Sequence, residues 1–409
     1  MEKFFKHIKK LVFMRKLLLI AAVMFSLGSM AQSPLRLAKE FKMAENNLKV
    51  SNLMKVNMPS ASTMKKAPAK VAPEGESRTY YLDCYNSVYG IGTTPEFHKA
   101  INVVYGDNNK VYIQNMMYPS MFDTYIEGEL NGNTITIPNG QAMGTYSNFN
   151  MILSNMKLEE EQNADGSTSV SIVPDASKEF TLTVDDEYGT ITSGEESFMG
   201  VVTEDYTGTL CVAGIMQFIP ENLFPATDEH EYTYDYEGYS TPLHTVNSTL
   251  QMINLGDYCY IKGLMPEVSP NAWLLGEFVN GDLVLTLPQI VDEDMACVFV
   301  DFNAGGSIIF DPVTLTYDAA TDSYTMSDYT LVNLFYTTSG TLGYSDSYDN
   351  LKIKATTTGI NKVESSNADV VSTQYFDISG RRINSAQKGI NVKVMKYSDG
   401  TTKTVKVIK

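Results

Sequence analysis

Residue types that commonly carry catalysis or bind metals are scarce in this chain. Its 409 residues include four Cys, four His and one Trp. No histidine stands in an H-E-x-x-H spacing, no cysteines form a C-x-x-C pair, and no serine stands in a G-x-S-x-G nucleophile elbow. These absences exclude the usual zinc sites and hydrolase motifs, so the sequence predicts no catalytic residues and no cofactor.

The four cysteines are widely spaced, at Cys84, Cys211, Cys259 and Cys297. Without a paired spacing, buried free thiols are the leading interpretation. Bridges between Cys84 and Cys211 and between Cys259 and Cys297 remain the alternative, because the chain is predicted below to enter an oxidising compartment.

Basic residues are scarce in the middle of the chain. Residues 79–355 hold 7 of the 31 Lys and Arg but 39 of the 48 Asp and Glu, a net charge of −32, whereas residues 32–78 and 356–409 each carry +5. So negative a body repels phosphate backbones and anionic lipids, which argues against nucleic-acid and membrane-surface binding. The charge favours a soluble protein whose sheet edges repel each other.

No apolar run after the N-terminus approaches the length of a membrane-spanning helix. At the N-terminus, a basic Met14-Arg15-Lys16 precedes an apolar run over residues 17–27 and small residues up to Ala31. This order predicts a signal peptide over 1–31, with translation starting at Met1 or Met14 and cleavage between Ala31 and Gln32. The polar composition of 32–78 predicts a flexible leader, and the mature chain has no predicted transmembrane segment.

An internal repeat organises the body into two copies, 79–220 and 231–355. Short runs rich in Tyr, Val, Ile and Thr alternate with turn residues, which is typical of strands and hairpins. The matching segments are VYIQNMM (111–117) with CYIKGLM (259–265), YIEGEL (125–130) with WLLGEF (273–278), and FTLT (180–183) with VTLT (313–316). Cys259 therefore aligns with Val111, an apolar strand position.

Each copy also reaches an Asn-Gly pair, Asn131-Gly132 or Asn280-Gly281, which predicts a two-residue hairpin turn with positive φ at both positions. The predicted fold is all-β, with two tandem related antiparallel domains and a small C-terminal β-module. A sandwich and an up-and-down barrel both fit the expected strand number.

The last 35 residues carry YFDISGRRI (375–383), Lys388-Gly389-Ile390 and a Lys-Val-rich end. This stretch resembles the C-terminal sorting domain of the type IX secretion system of Bacteroidota. The resemblance implies recognition by that export machinery, with Asp377, Gly380, Arg381, Gly389 and Lys409 as recognition positions. No Pro-Asn-Pro-like lead-in precedes it between residues 356 and 374, which leaves the periplasm as the alternative to a secreted or cell-surface location.

The repeated body also resembles β-modules of uncharacterised secreted proteins from the same phylum, which implies no activity. Its acidic clusters, at residues 185–187, 292–294 and 346–349, are interpreted as solvated turns, with calcium loops as the alternative. His230 is assigned to a solvated linker between the copies, and Trp273, which aligns with Tyr125, to packing. Glu129 and Glu277 take equivalent places and are assigned an architectural role.

The function expected from these features is a non-catalytic extracellular or cell-surface role in binding or structure. The 25 tyrosines of the chain suggest a glycan or protein ligand, because tyrosine combines a flat apolar ring with a polar hydroxyl. Two alternatives stay open: a secreted glycan-acting hydrolase that uses acidic residues, and a lipocalin-like carrier with an apolar cavity.

Overall fold

The structure is a computed structural model that describes residues 54–55, 73–88, 92–146, 148–162, 168–194, 196–337, 341–357, 370–377, 382–383, 385, 390–397 and 402–408. It divides into two compact units with a boundary at Thr356/Thr357. The predicted signal cleavage site, Ala31 and Gln32, lies outside the described residues, as does most of the predicted leader.

Eight antiparallel strands of the first copy close into a barrel. Each strand pairs with the next, and the last, β13, pairs back onto the first, β2. Closure removes the exposed sheet edges that a sandwich would leave. The strands, in order around the ring, are β2 (Glu76–Val88), β3 (Gly92–Tyr105), β4 (Lys110–Gln114), β5 (Tyr125–Asn131), β6 (Thr134–Ile137), β10 (Phe180–Val184), β11 (Ile191–Ser193) and β13 (Thr209–Pro220).

The remaining strands of this copy form a side sheet that branches from the barrel. Its attachment is the pairing of β12 with the first half of β13, whose second half pairs with β11. A register shift on β13 between Gly214 and Gln217 separates the two halves. The side-sheet strands are β7 (Ala142–Tyr146), β8 (Phe149–Gln162), β9 (Thr168–Pro174) and β12 (Phe198–Thr203).

The second copy repeats this topology strand for strand. Its ring closes where β25 pairs with β14, and its side sheet branches where β24 pairs with β25. The barrel strands are β14 (Asp228–Glu237), β15 (His244–Asn254), β16 (Tyr258–Lys262), β17 (Trp273–Val279), β18 (Asp282–Leu285), β22 (Val313–Asp318), β23 (Ser323–Thr325) and β25 (Leu342–Thr357), and the side-sheet strands are β19 (Gln289–Asp292), β20 (Met295–Asp301), β21 (Ser307–Ile309) and β24 (Thr330–Tyr336). The predicted duplicated all-β fold is confirmed, and between the two predicted architectures the chain adopts the barrel.

Side chains of the chain itself fill both barrels. In the first copy one core cluster draws residues from all eight ring strands and from Met116, Met117 and Phe122 of the β4–β5 connection. The cluster of the second copy is built in the same way. Strict alternation of inward and outward residues, as in β6 and β10, places these side chains inside. An eight-stranded barrel is just wide enough for such filling.

The repeated hairpin turns differ between the copies by one residue. In the second copy Asn280 and Gly281 form the two-residue turn, both with positive φ, as predicted. In the first copy Asn131 pairs with Thr134, so the turn is Gly132-Asn133, and only Gly132 has positive φ. The prediction for the first copy is therefore wrong by one position, because glycine suits the first central residue of a II′-like turn as well as the second of a I′ turn.

The glycine of each Gly-Glu pair in the repeat has a packing role. A Cβ on Gly128 would lie 2.7 Å from the Ile135 side chain, and one on Gly276 would lie 2.8 Å from Leu283. Ile135 and Leu283 occupy equivalent places on β6 and β18. Glycine therefore stands in each copy where a side chain of the neighbouring strand leaves no room for a Cβ atom.

A glutamine in each copy ties the barrel to its side sheet. Gln141 Oε1 accepts from the Glu127 amide at 2.8 Å, and its Nε2 donates to the carbonyls of Glu127 and Pro138 at 2.8 and 3.1 Å. Gln289 makes the same three bonds, with the Leu275 amide at 2.7 Å and with the carbonyls of Leu275 and Thr286, both at 3.0 Å. Gln289 is buried, whereas Gln141 is half-buried.

The cysteines are confirmed as buried free thiols. His230, however, is not in a solvated linker. It lies on β14, is 8% exposed, and its Nδ1 is 2.8 Å from the Lys354 carbonyl. The acidic neighbours of His230 suggested a linker, but alternation along β14 turns only His230, Tyr232, Tyr234 and Tyr236 inward.

Two short pieces complete the chain. Strand β1 (Met54–Lys55), from the predicted leader, pairs in parallel with Gly343–Tyr344 of β25.

The second unit is a four-stranded antiparallel sheet in the order β27-β26-β28-β29, which confirms the small C-terminal β-module. Its strands are β26 (Val370–Asp377), β27 (Arg382–Ile383), β28 (Ile390–Tyr397) and β29 (Thr402–Ile408). Within the described ranges, no helix is long and apolar enough to cross a membrane.

Candidate functional site

The most unusual titratable groups lie where the two barrels meet. Phe97 of β3 pairs with Trp273 of β17, which joins the two rings by a strand contact. Beside it the buried Asp83 carboxylate accepts two hydrogen bonds, one from the His98 amide at 2.8 Å and one from Tyr260 Oη of the second barrel at 2.6 Å. A carboxylate of one copy is thus held by a hydroxyl of the other.

His98 lies inside an aromatic enclosure at the same contact. Its ring stacks on Tyr81 with centroids 3.8 Å apart, and Phe224, Tyr260 and Trp273 surround it at 4.5 to 4.8 Å. His98 is 1% exposed, and its Nδ1 has no hydrogen-bonding partner among the described residues. The positive φ of His98, 52°, turns the ring into this position.

Burial shifts both groups toward their neutral forms. Desolvation raises the pKa of Asp83 to about 7, although the bonds from Tyr260 and His98 oppose the shift. Desolvation, assisted by Lys262, lowers the pKa of His98 to about 3. Strongly shifted groups can mark active sites. Here both Asp83 oxygens are already engaged and both residues are 1% exposed, so the cluster serves as a joint between barrels.

One end of the first barrel binds a turn of the second copy. The β4–β5 connection forms this end, and the carboxylate of Glu293 accepts from the Ser120 amide at 2.8 Å and from the Ser120 hydroxyl. Asp294 accepts from the Tyr118 hydroxyl. Lys99 of β3 favours the charged form of Glu293, although burial raises the pKa of that carboxyl overall. An acidic turn therefore docks on an end that supplies donors and a cation.

Just inside the same end, polar groups are mutually satisfied. Lys99 Nζ lies 2.8 Å from Glu96 and donates to the Met116 carbonyl at 3.1 Å. Asn86 donates to Glu96 and to the same carbonyl, both at 3.2 Å. Lys99 is thus the positive neighbour of both Glu96 and Glu293, whereas Asp294 is held by the neutral Tyr118 hydroxyl.

The equivalent end of the second barrel carries tyrosines and carboxylates. Tyr234 Oη donates to Glu267 at 2.6 Å, and Tyr236 Oη donates to Asp346 at 2.5 Å. The Tyr348 hydroxyl is buried without a partner in hydrogen-bonding geometry, although Glu267 is close enough to contribute to the rise in the pKa of Tyr348 that burial causes. We call these five residues the acidic end.

The two ends occupy equivalent places in the repeat but differ in charge, since the first contains Lys99 paired with Glu96 and the second contains the carboxylates Glu267 and Asp346. The Met116 carbonyl that receives Lys99 corresponds to the Leu264 carbonyl that receives the Tyr232 hydroxyl, at 3.1 Å. The described part of the second barrel contains three cations, and none contacts the acidic end. Lys262 lies over Trp273, Lys354 donates to the Thr321 carbonyl, and Lys352 lies near enough to Asp318 to favour its charged form. Asp346 is buried and both its oxygens accept, from the Tyr236 and Ser345 hydroxyls, so the exposed Glu267 is the carboxylate at this end that a cationic ligand reaches.

The residues singled out in the sequence are distributed across these features. Trp273 packs at the joint, in agreement with its assignment to packing. Glu129 and Glu277 occupy equivalent register positions, opposite Lys110 and Tyr258, on different barrels.

Two of the three acidic clusters are not solvated turns. Asp185 caps an exposed turn, as expected, by accepting from the amides of Glu187 and Tyr188. Glu293 and Asp294 instead dock on the first barrel, and Asp346 lies buried in β25. These two predictions fail because tertiary contacts supply hydroxyl and amide donors that the sequence does not place. In the described part of the chain, no three His, Cys, Asp or Glu side chains gather into a metal site.

Of the predicted recognition positions in the tail, Asp377 ends β26. Gly380, Arg381, Gly389 and Lys409 lie outside the described residues. Sequence reasoning missed Asp83, His98 and Glu267. The only local signal for Glu267 was its place in the loop after a repeated strand, Pro266-Glu267.

Comparison with known proteins gives this chain no relative: no protein-family model, no curated protein and no solved structure matches it.

Proposed function

We propose that this chain is an exported, non-catalytic protein, located outside the cell or at its surface, that binds a basic segment of a partner protein through the acidic end. One observation carries the proposal. The equivalent end of the first barrel already binds a charged chain segment, the Glu293–Asp294 turn, through neutral donors and the nearby Lys99. The end of the second barrel has carboxylates in place of that cation, which suits a segment rich in Lys or Arg.

The structure also bears on the other candidate functions. A carrier needs an open cavity, whereas both barrel interiors are occupied by the chain's own side chains. A glycan-acting hydrolase stays as the second candidate, because Glu267 and Asp346 place two carboxylates at one barrel end. Release of reducing sugar from a polysaccharide panel, lost in the double variant Glu267→Gln/Asp346→Asn, would favour the hydrolase.

Binding is tested with octalysine as the probe, by calorimetry on the chain that begins at Gln32. We expect heat of binding at low salt that weakens at higher salt and disappears in Glu267→Gln/Asp346→Asn. The matched control Glu231→Gln/Asp257→Asn makes the same change of charge at the opposite end of the barrel and should bind as the unaltered chain does.

Residues 32–78 are themselves basic and would compete with the probe. The titration is therefore repeated with Lys55, Lys65, Lys66 and Lys70 replaced by Gln, which we call the leader variant. If octalysine binds neither the unaltered chain nor the leader variant, or if both double variants weaken binding equally, the proposed function is wrong.

Export is tested separately, by fractionating the native organism and sequencing both chain ends by mass spectrometry. We expect a mature N-terminus at Gln32 in the extracellular or cell-surface fraction. Export by the type IX machinery predicts in addition that the tail containing Asp377 is removed or modified. Recovery of the chain in the cytosol with residues 14–31 attached would contradict the proposed location.

A further inference from the structure

A lysine, a glutamate and an asparagine meet just inside one end of the first barrel. Lys99 and Glu96 belong to β3, and Asn86 belongs to β2. Glu96 Oε1 lies 2.8 Å from Lys99 Nζ, and Glu96 Oε2 accepts from Asn86 Nδ2 at 3.2 Å. The two nitrogens also share a second acceptor, the Met116 carbonyl, at 3.1 and 3.2 Å. Two shared acceptors therefore hold the lysine amine beside the asparagine carboxamide.

This cluster has little contact with water. Asn86 is 7% exposed, and the side chains of Lys99 and Glu96 are 21% and 12% exposed. Burial opposes the charge on Lys99, but Glu96 outweighs it and raises the pKa of that ammonium group overall. The ion pair is therefore the resting form, and the amine becomes nucleophilic when its proton crosses the hydrogen bond to Glu96. A buried setting favours this neutral pair more than water does.

The carboxamide of Asn86 has a suitable neighbour at each polar atom. Its Oδ1 accepts from the Ser87 amide at 3.0 Å, a contact of the kind that stabilises negative charge as it develops on a carbonyl oxygen. Its Nδ2 lies beside the Glu96 carboxyl group, which can supply the proton that leaving ammonia needs. An amine, a proton carrier and an oxyanion donor thus converge on one carboxamide.

We propose that Lys99 and Asn86 form an isopeptide bond that ties β2 to β3. The Nζ lone pair attacks Cγ of Asn86, and the carbonyl electron pair moves to Oδ1. The carbonyl then re-forms, the Cγ–Nδ2 bond breaks, and Nδ2 takes the proton held by Glu96 and leaves as ammonia. A second Nζ proton passes through Glu96 to the ammonia. The products are an amide, an ammonium ion and the original Glu96 carboxylate.

The bond gives the first barrel a covalent cross-link that its cysteines do not supply, since all four are free thiols. It closes a ring over residues 86–99 and thereby restricts the unfolded chain, as a disulfide does. The reaction also removes the charge of Lys99, after which the Tyr118 and Ser120 donors hold the Glu293–Asp294 turn.

Tryptic digestion and mass spectrometry test for the bond. Lys99 is the only tryptic site between Arg78 and Lys110, and trypsin does not cleave after an acylated lysine. In the chain that begins at Gln32, we expect peptide 79–110 to be uncleaved and lighter by about 17 Da, the mass of one ammonia molecule. Analysis of this peptide excludes cyclisation of an N-terminal Gln32, which releases ammonia as well.

Three variants test the assigned roles. Lys99→Arg removes the nucleophile, Asn86→Ala removes the carboxamide, and Glu96→Gln removes the proton carrier while keeping its shape. In each of them we expect cleavage at position 99 and no loss of ammonia. The matched control is Glu127→Gln, which breaks the exposed 2.6 Å pair of Glu127 with Lys110 and should leave the cross-link intact.

The unaltered chain by itself can overturn the proposal, so the test does not depend on whether the variants fold. Complete cleavage at Lys99, with peptides 79–99 and 100–110 at their full masses, shows that no bond forms. A chain held unfolded in urea from its synthesis onward should keep its ammonia and lose it only after refolding. Loss of ammonia from the unfolded chain, or an equal loss in Glu96→Gln, overturns the mechanism, because the reaction then needs neither the fold nor the carboxylate.

Discussion

Asparagine in place of Asp83 is expected to raise the free energy of unfolding at pH 8. It should also leave a pH dependence of stability that comes from His98 alone and has the opposite sign to that of Asp83. The folded-state pKa of Asp83, about 7, lies above its ordinary value of 3.8. The stability that Asp83 contributes is therefore full below pH 4 and is lost as the pH rises through 7. At about 1.4 kcal/mol per pH unit, the loss approaches 4 kcal/mol above pH 7.

His98 acts in the opposite direction over an overlapping range. Its folded-state pKa, about 3, lies below its ordinary value of 6.5. In this range His98 is protonated in the unfolded chain but neutral in the folded chain. The free energy of unfolding therefore falls as the pH drops from 6.5 toward 3. Between pH 4 and 6.5 the two slopes cancel, so the unaltered joint contributes a nearly flat profile.

Single variants separate the two slopes. Asn at 83 keeps an acceptor for the His98 amide and a partner for Tyr260, while His98→Phe keeps the ring stack on Tyr81. Between pH 4 and 6.5, stability should rise by about 1.4 kcal/mol per pH unit in Asp83→Asn and fall equally in His98→Phe.

The measurement is urea unfolding at a series of pH values, followed by the fluorescence of Trp273, which lies in the joint. The double variant should again be flat, because it has neither titration. Parallel profiles in both single variants would show that the two groups do not titrate in the joint.

Leucine in place of Gln289 is expected to cost about 3 kcal/mol of unfolding free energy, and leucine in place of Gln141 about 1 kcal/mol. The two substitutions remove the same three hydrogen bonds. The difference comes from burial. At Gln289 the freed amide and carbonyl of the buried Leu275 stay away from water, whereas at Gln141 water reaches the freed groups of Glu127 and Pro138.

Hydrogen exchange resolves this effect by barrel. The amides of β17 should lose protection in Gln289→Leu, and those of β5 should change less in Gln141→Leu. Each barrel is the control for the other, because the topology and the bonding pattern are the same. Equal losses at the two sites would contradict the assignment of the cost to unpaired backbone groups.

Local patterns in the sequence were enough to predict strands, hairpins and duplication. Alternation in FTLT and VTLT reports directly which side chains point inward, because a strand has a period of two. The Asn280-Gly281 turn was predictable for the same local reason, whereas Gly132-Asn133 was misplaced by one residue because two turn types accept glycine at different positions.

The candidate site was hardly predictable, since its members are far apart in the chain. Asp83 and Tyr260 meet across 177 positions, and Tyr236 and Asp346 across 110. Asp346 was visible only as part of an acidic cluster. Nothing local distinguishes a carboxylate that will receive a tyrosine hydroxyl from one that faces water.

By itself the sequence determined a duplicated all-β body with buried thiols and an excess of negative charge, because these follow from composition and from short-range periodicity. Only the tertiary structure decided that each copy closes into a barrel, that Asp83 and His98 lie in a joint, and that the two equivalent barrel ends differ in charge. Ring closure and burial depend on which distant strands pair, and the free energies of those pairings are set by contacts that no local pattern contains.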